Sequence, residues 1–272
     1  MKPAPFDLLM AETLDEALAA LADHGDDAQI IAGGQSLVPM LNLRAAMPEL
    51  LVDINRIDAL KQIELVDSRV RVGAGVRQRD LESWPGLETH LPMVAQALRH
   101  IGHVQTRNRG TVCGSLCHAD PAAELPLCLL ALRGEVELAS ASGRRTVKAA
   151  DFFEGALSTC LEPGEMMVSA SFKAARPGHA YVFDEVAERH GDFAIAAFAA
   201  VAGPTSFGLA LGGVSDTPVA RDWDTGTDVV AALSDWVEEL DIANDHHASA
   251  DYRRHLIRRR GLATVQKALA EI

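Results

Sequence analysis

Residues 32–41 read AGGQSLVPML, and they place two adjacent glycines between an apolar run and a helix-like run. The apolar run, Gln29-Ile30-Ile31, is typical of a short buried strand. Glycine adopts backbone conformations that other residues avoid, and it lets other groups approach the main chain closely. The stretch therefore predicts either a tight strand-to-helix turn or a place where an anion lies against backbone amides.

Three glycine-bearing segments follow predicted strands: Gly33-Gly34, Gly73-Ala74-Gly75 and Gly110 to Gly114. A diphosphate needs several N–H donors that converge on it, and a helix that begins just after such a turn adds its positive end. The two standard nucleotide signatures, G-x-G-x-x-G and G-x-x-x-x-G-K-[ST], are missing from the sequence. At each segment, a purely structural turn is the alternative.

The first and third of these segments are similar in composition. Gln35 and Ser36 in the first, and Thr111 and Ser115 in the third, bring side-chain donors, and each segment leads into a predicted helix. Together the two turns predict that a cofactor with a long diphosphate bridge lies between them.

Composition and charge narrow the class of protein. The chain has 272 residues, of which 48% are apolar and 23% charged, as expected for a folded protein with more than one domain or lobe. Its formal net charge of −13 argues against a nucleic-acid partner, whose phosphates bind basic surfaces. No apolar run reaches the length of a membrane span, and residues 1–21 lack the pattern of a secretory signal. We therefore expect a cytoplasmic protein.

The four cysteines, Cys113, Cys117, Cys128 and Cys160, have the spacing C-x3-C-x10-C-x31-C. This spacing matches neither a paired zinc motif nor the bacterial cluster motif, so we expect small buried side chains and no metal site. A cluster or redox role remains the alternative, because the first two cysteines lie close together in a glycine-rich segment.

The N-terminal half of the sequence alternates helical and strand patterns. Thr13, with Glu16 three residues later, predicts a capping box ahead of an amphipathic helix that ends at Gly25. Alternating apolar residues predict hairpins around Asp67-Ser68 and around Gly143.

Two more helices are predicted before the pattern changes. One ends at Gly102, and another begins after Pro121 with Asp120 as its cap. From about Lys173 onward, long apolar strands with glycine turns are followed by two helical stretches. This order of elements indicates a second domain and an α+β fold.

The segments AGGQSLVPMLNLR, VGAGV, TRNRGTVCGSLCHADPAAELP and LGGVSDTPV resemble the FAD-binding medium subunit of the molybdenum hydroxylases. That family includes carbon monoxide dehydrogenase and the bacterial xanthine and N-heterocycle dehydrogenases. The resemblance covers nearly the whole chain. It implies a two-lobed FAD-binding domain of the vanillyl-oxidase (PCMH) type over residues 1–172, with lobes at about 1–56 and 57–172. It also implies a C-terminal domain over 173–272, an antiparallel sheet with flanking helices.

The resemblance also implies which residues contact FAD. Asp120 would reach the ribityl or a nearby polar part of the cofactor, and Phe193 would lie against the isoalloxazine ring. A core phenylalanine on a strand is the alternative for Phe193. Lys173 and Arg189 are further candidates for the electron-rich edge of the flavin. The full set of implied contacts is Ala32, Gly33, Gly34, Gln35, Ser36, Leu37, Thr111, Cys113, Gly114, Ser115, Asp120 and Phe193.

The chain departs from the family pattern at two positions. Cys113 stands where a glycine is usual, and Cys117 stands where an alanine is common. The backbone at residue 113 must therefore tolerate a Cβ atom. The insertion that gives one branch of the family a cluster in this subunit is missing from the sequence.

The function implied is electron transfer. FAD would take electrons from the iron–sulfur centres of a small [2Fe-2S] subunit, fed by a large molybdopterin subunit, and pass them to an external acceptor. We predict no catalytic residue in this chain, and we expect a dimer of heterotrimers. The alternatives are a stand-alone flavin oxidase or reductase of the same superfamily and a nucleotide-binding module without redox turnover. The substrate and the acceptor are not encoded in this sequence.

Overall fold

The computed structural model describes residues 2–242 and 244–272, which form four sheets and the helices around them. The strands are β1 (Asp7–Met10), β2 (Ala28–Ile31), β3 (Leu50–Asp53), β4 (Ile63–Val66), β5 (Arg69–Gly73), β6 (Glu135–Ser140), β7 (Gly143–Lys148), β8 (Phe153–Gly155), β9 (Ser158–Thr159), β10 (Met166–Lys173), β11 (Ala180–Ala187), β12 (Ala194–Ala202), β13 (Ser206–Gly212) and β14 (Val219–Asp224). The α-helices are α1 (Leu14–His24), α2 (Leu37–Leu43), α3 (Gln78–Glu82), α4 (Leu87–His90), α5 (Pro92–Leu98), α6 (Val104–Arg109), α7 (Val112–His118), α8 (Glu124–Ala131), α9 (Ala149–Phe152), α10 (Val229–Glu239), α11 (Ala250–Leu256) and α12 (Leu262–Ala270). The predicted α+β class is confirmed.

The first sheet is parallel, with the order β1-β3-β2, and it carries the first glycine turn at the end of β2. Helix α1 begins at the predicted cap, where Thr13 Oγ1 accepts a hydrogen bond from Glu16 N at 3.2 Å. The Glu16 side chain accepts its bond from Glu12 N, one residue earlier than a capping box requires. Strand β1 was not predicted, because Leu8 and Met10 are exposed at the sheet edge and leave no alternating pattern.

The second sheet is antiparallel, with the order β4-β5-β10-β6-β7. It contains both predicted hairpins, and β10 lies between them. Asp67 and Ser68 have φ angles of 48° and 60°, the left-handed conformation of a tight hairpin turn.

The third sheet is an antiparallel meander, β11-β12-β13-β14, with apolar residues on both faces. One face packs against α8 and joins the larger core, while the other face packs against α10 and α12. Helix α8 packs on the third sheet on one side and on α5, α7 and α9 on the other, so Leu125, Leu127 and Leu129 are all fully buried. This position explains why the sequence of α8 is apolar on every side.

Two predictions on helix boundaries were wrong. The helix after Pro121 begins at Glu124, and Asp120 accepts a bond from Ala122 N at 2.9 Å in the preceding turn instead of capping the helix. The helix predicted to reach Gly102 ends at Leu98, and α6, which was not predicted, follows it. Within residues 2–242 and 244–272, no helix combines the length and the apolarity needed to cross a membrane.

Gln96 on α5 joins the third sheet to the rest of the protein. Its Nε2 donates to Tyr181 O at 2.9 Å, and its Oε1 accepts from Phe183 N at 3.0 Å. Both partners belong to β11, which lies at the edge of the third sheet, where backbone groups have no neighbouring strand to pair with. The Gln96 amide therefore makes the two hydrogen bonds that a neighbouring strand would make at this position.

Replacing Gln96 with leucine should leave both backbone groups buried without partners, at roughly 1–3 kcal/mol for each. We expect a lower urea midpoint for Gln96→Leu. The matched control is Gln266→Leu, at an exposed position on α12, which should change the stability by less than about 0.5 kcal/mol. Equal midpoints for the two variants would show that these bonds do not stabilise the junction.

Candidate functional site

The first and third glycine turns face one cavity of about 660 Å³. This volume lies within the range of small-molecule and cofactor pockets. Every predicted contact residue lines it: Ala32, Gly33, Gly34, Gln35, Ser36, Leu37, Thr111, Cys113, Gly114, Ser115, Asp120 and Phe193. Turns that are about 75 residues apart in the chain therefore meet at a single site.

The two turns touch through bare backbone. A Cβ atom added at Gly33 would lie 2.4 Å from Arg109 O and 2.8 Å from the Gly110 Cα atom. Gly34 has a φ of 69°, a conformation that residues with a side chain rarely adopt. Gly33 is thus required because the other turn approaches it closely, and Gly34 is required because of its backbone conformation.

Asn55 and Arg77 hold the two turns together. Asn55 Nδ2 donates to Ala32 O at 2.9 Å, and Asp53 Oδ1 accepts from the same amide group at 2.6 Å. The Arg77 guanidinium donates to Asn55 Oδ1 and to Arg109 O. Sequence reasoning missed both residues, and the only local signal was a polar Asp-Ile-Asn-Arg turn after a buried strand.

The amides of the first turn are available to a ligand. Among the described residues, no acceptor receives a hydrogen bond from the backbone N–H groups of Gly33, Gly34, Gln35 or Ser36. Val38 N, further along, is paired with Gly34 O. Four successive unpaired donors beside a cavity form a site that fits an anion such as a diphosphate.

The third segment is fixed by residues at the start of α3 and just before it. Gln78 N donates to Gly110 O at 2.8 Å, and Val112 N donates to Val76 O at 3.1 Å. Thr111 caps α7 by accepting from Gly114 N at 3.0 Å. A Cβ at Gly114 would lie 2.5 Å from Thr111 Oγ1, so this glycine makes room for the cap.

Gln78 gives a further indication that the cavity suits a polar ligand. Its side chain lines the cavity, is 95% buried, and has an Oε1 atom without a hydrogen-bond partner among the described residues. The middle segment, Gly73-Ala74-Gly75, has a different role. A Cβ at Gly73 would lie 2.2 Å from Leu60 O, so this glycine serves a structural contact.

All four cysteines are free thiols, and the described part of the chain contains no group of three or more His, Cys, Asp or Glu side chains placed to hold a metal ion. Burial raises the pKa of the Cys117 thiol to about 12 and raises that of Cys113 further. Cys113 Sγ donates to Val72 O at 3.5 Å. Its side chain thus points into the core, and the backbone tolerates the departure from glycine.

Asp120 lies just after α7 and Phe193 lies just before β12, and both line the same cavity. Phe193 is 61% exposed, so the alternative of a core phenylalanine is wrong. Arg253 donates to Ile195 O at 3.1 Å and pairs with Asp245, which fixes the start of β12 just after Phe193. Lys173 does not reach this cavity and lines a second one instead.

Two buried carboxyl groups lie behind the cavity. Burial, the neighbouring charge of Glu185 and that of Asp120 raise the pKa of Glu124 to about 8. Burial and Asp184 raise the pKa of Glu185 to about 7. Glu185 Oε1 lies 3.1 Å from His100 Nδ1. Glu124, which lines the cavity, is therefore mostly neutral at pH 7.

Residues 4–172 match the family model described as the FAD binding domain in molybdopterin dehydrogenase. The alpha subunit of the 6-hydroxypseudooxynicotine dehydrogenase complex of Paenarthrobacter nicotinovorans is 39% identical, over 99% of this chain and 96% of its own length. The caffeine dehydrogenase beta subunit of Pseudomonas sp. (strain CBB1) is 35% identical, over 94% and 92%. A carbon monoxide dehydrogenase structure from Hydrogenophaga pseudoflava superposes with a TM-score of 0.92, at 34% identity and 99% coverage of both chains.

The fold and the paired amide turns define a flavoprotein subunit. This chain belongs to the family of FAD-binding subunits of molybdenum hydroxylases, and its cofactor is FAD. The relatives are subunits of multi-subunit dehydrogenases, which agrees with the subunit hypothesis and not with a stand-alone oxidase or reductase. The contact of each individual residue with FAD stays a prediction.

Gly33→Ala should weaken FAD binding by about tenfold or more, equivalent to ~1.4 kcal/mol. The added Cβ forces the two turns apart and misaligns their amides. Titration of the flavin-free protein with FAD, followed by flavin fluorescence, measures this effect. The matched control is Gly155→Ala, whose Cβ would meet nothing closer than Ser158 Cβ at 3.9 Å. Unchanged affinity in Gly33→Ala would contradict the close approach of the turns.

Glu124 should make the flavin-free protein less stable as the pH rises from about 5 to 8. Over this window the unfolded state has lost the proton that the folded state keeps, because the folded pKa is raised to about 8. The slope reaches at most about 1.4 kcal/mol per pH unit. Glu124→Gln should therefore gain stability over the original protein with rising pH.

The control for this experiment is Glu154→Gln, an exposed carboxyl group. The difference in the free energy of unfolding between this variant and the original protein should stay constant over the same pH range. A constant difference for Glu124→Gln as well would show that Glu124 is ionised in the folded protein.

Proposed function

We propose that this chain binds FAD between its two amide-rich turns and carries electrons within a molybdenum-dependent dehydrogenase or hydroxylase. The main support for this proposal is the row of unpaired backbone N–H groups from Gly33 to Ser36, which faces Thr111 to Ser115 across one cavity. When bound, FAD supplies the redox chemistry, accepting electrons and releasing them to a second partner. The protein supplies position and surroundings.

The roles of the residues follow from their positions. Backbone N–H groups of the first turn donate to the diphosphate, and the hydroxyls of Thr111 and Ser115 lie on the opposite wall. Asp120 lies on the same wall and contacts a polar part of the cofactor. Phe193 covers the exposed edge of the cavity as a flat apolar surface. We predict no catalytic residue among these groups, since FAD itself supplies the redox chemistry.

The complex we propose contains a large molybdopterin subunit and a small [2Fe-2S] subunit, assembled as a dimer of heterotrimers in the cytoplasm. Support comes from relatives that are medium chains of carbon monoxide dehydrogenases and subunits of other dehydrogenase complexes. Two relatives and one superposable structure are named for caffeine, nicotine and quinoline. Aromatic N-heterocycles are therefore the first substrates to test on the complex.

The purified chain should be yellow, with flavin absorption that dithionite bleaches. Acid denaturation should release all of the flavin, since the cavity binds through hydrogen bonds. With an N-heterocycle as the electron donor, the chain alone should not reduce an electron acceptor. Material purified from its native host should contain two further subunits and should catalyse this reaction. Flavin that remains on the acid-denatured polypeptide would contradict non-covalent binding. Full substrate oxidation by the isolated chain would overturn the subunit assignment.

A further inference from the structure

A second cavity of about 160 Å³ lies between the larger core and the third sheet. Its walls come from the turn after α8, the end of β10 and the strands β11 to β14. It shares no lining residue with the FAD cavity. A cavity of about 150 Å³ holds one benzene ring, so the space suits a single ring or a short chain.

Basic side chains dominate this second cavity. Arg133, Lys173, Arg176 and His179 line it, and Asp222 is the one carboxylate among its described lining residues. Asp222 pairs with Arg133. In the described part of the chain, no carboxylate forms an ion pair with Lys173 or Arg176. The partly buried Lys173 therefore has no ion-pair partner among the described residues, and the exposed Arg176 beside it is free to meet an anion.

The electrostatics of Lys173 support this description. Burial lowers its pKa, and the positive charges of Arg176, Arg69 and Arg133 lower it further. Such a concentration of cations is unexpected in a chain with a net charge of −13. Like charges held together repel each other, and an anion placed between them removes that repulsion.

Apolar side chains and two close backbone contacts shape the rest of the cavity. Ala199 and Ala210 are almost fully buried and lie on its sheet wall, and Leu132, from the turn after α8, lines it as well. A Cβ at Gly208 would lie 2.2 Å from Asp222 Oδ1, and one at Gly203 would lie 2.6 Å from the His179 ring. These glycines let the two polar side chains lie flat against the sheet, which keeps the cavity open.

The backbone of Arg176 is also fixed. Its N–H donates to Tyr181 Oη at 3.1 Å, and Tyr181 itself lines the cavity and is 8% exposed. The backbone of Arg176 therefore has a defined position relative to Tyr181 in the wall of the cavity.

We propose that this second cavity binds a small organic anion, with one carboxylate or phosphate group on a single-ring or short apolar body. Lys173 and Arg176 contact the anionic group, and Leu132 and Tyr181 contact the body. The site lies at the junction of the two cores, apart from the flavin cavity, so its ligand differs from the cofactor and extends the proposed function.

Isothermal titration of the full FAD-loaded chain with benzoate, at constant ionic strength, tests this proposal. Benzoate should bind at a single site, and the neutral analogue benzyl alcohol should bind about tenfold more weakly or worse. Lys173→Met should reduce benzoate affinity by about tenfold, because it keeps the length of the side chain and removes the charge. The matched control, Lys148→Met on the exposed end of β7, should keep the original affinity.

Flavin content and far-UV circular dichroism confirm that each variant is folded, and Arg176→Met replaces Lys173→Met if the latter does not accumulate. Four outcomes would overturn the proposal: absence of benzoate binding, equal binding of benzyl alcohol, an equal loss in Lys148→Met, or original affinity in the folded Lys173 variant. Inorganic phosphate that binds more tightly than benzoate would also overturn it, since the apolar wall would then contribute nothing.

Discussion

The backbone contact between Gly33 and the Arg109–Gly110 peptide is the constraint on which the cofactor site depends. It brings a turn of the first sheet against the turn that precedes α7, and a single methyl group at residue 33 would prevent it. Asn55 and Arg77 fix the same contact with side-chain bonds from behind. The glycine pair therefore has two functions, because it joins the turns and leaves the amides bare for an anion.

The cavity has one group that costs stability, because the carboxyl group of Glu124 is buried away from water. A ligand that accepts from the amides of the first turn adds stability with the logarithm of its concentration, about 2.7 kcal/mol at one hundred times Kd. The folded state of the cofactor domain is in this sense coupled to FAD.

Local patterns in the sequence predicted the elements whose signals lie within a few residues. The Thr13 cap, both hairpins and the two glycine turns belong to this group, and all are confirmed. Asn55, Arg77 and Gln96 were missed, since each bonds to backbone atoms that are 23 to 87 residues away. No periodicity marks such a residue.

Strand β1 and helix α6 were missed for a different reason. Strand β1 is an exposed edge strand, and none of the six residues of α6 is buried, so neither carries an apolar pattern. The cofactor was predicted from motifs that resemble a known family. The spacing of the glycines alone did not distinguish a phosphate-binding turn from a purely structural one. The domain limits near residue 172 remain a prediction.

Strand β12 connects the two cavities. It begins one residue after Phe193, at the flavin cavity, and Ala199 and Val201 near its other end line the second cavity. A strand of nine residues spans roughly 25–30 Å. Energetic coupling between two sites requires an element with two arrangements. Strand β12 is buried on both faces and paired along both edges, which leaves no space for a second arrangement. We therefore expect the strand to act as a rigid spacer, so that the ligand proposed for the second cavity binds independently of FAD.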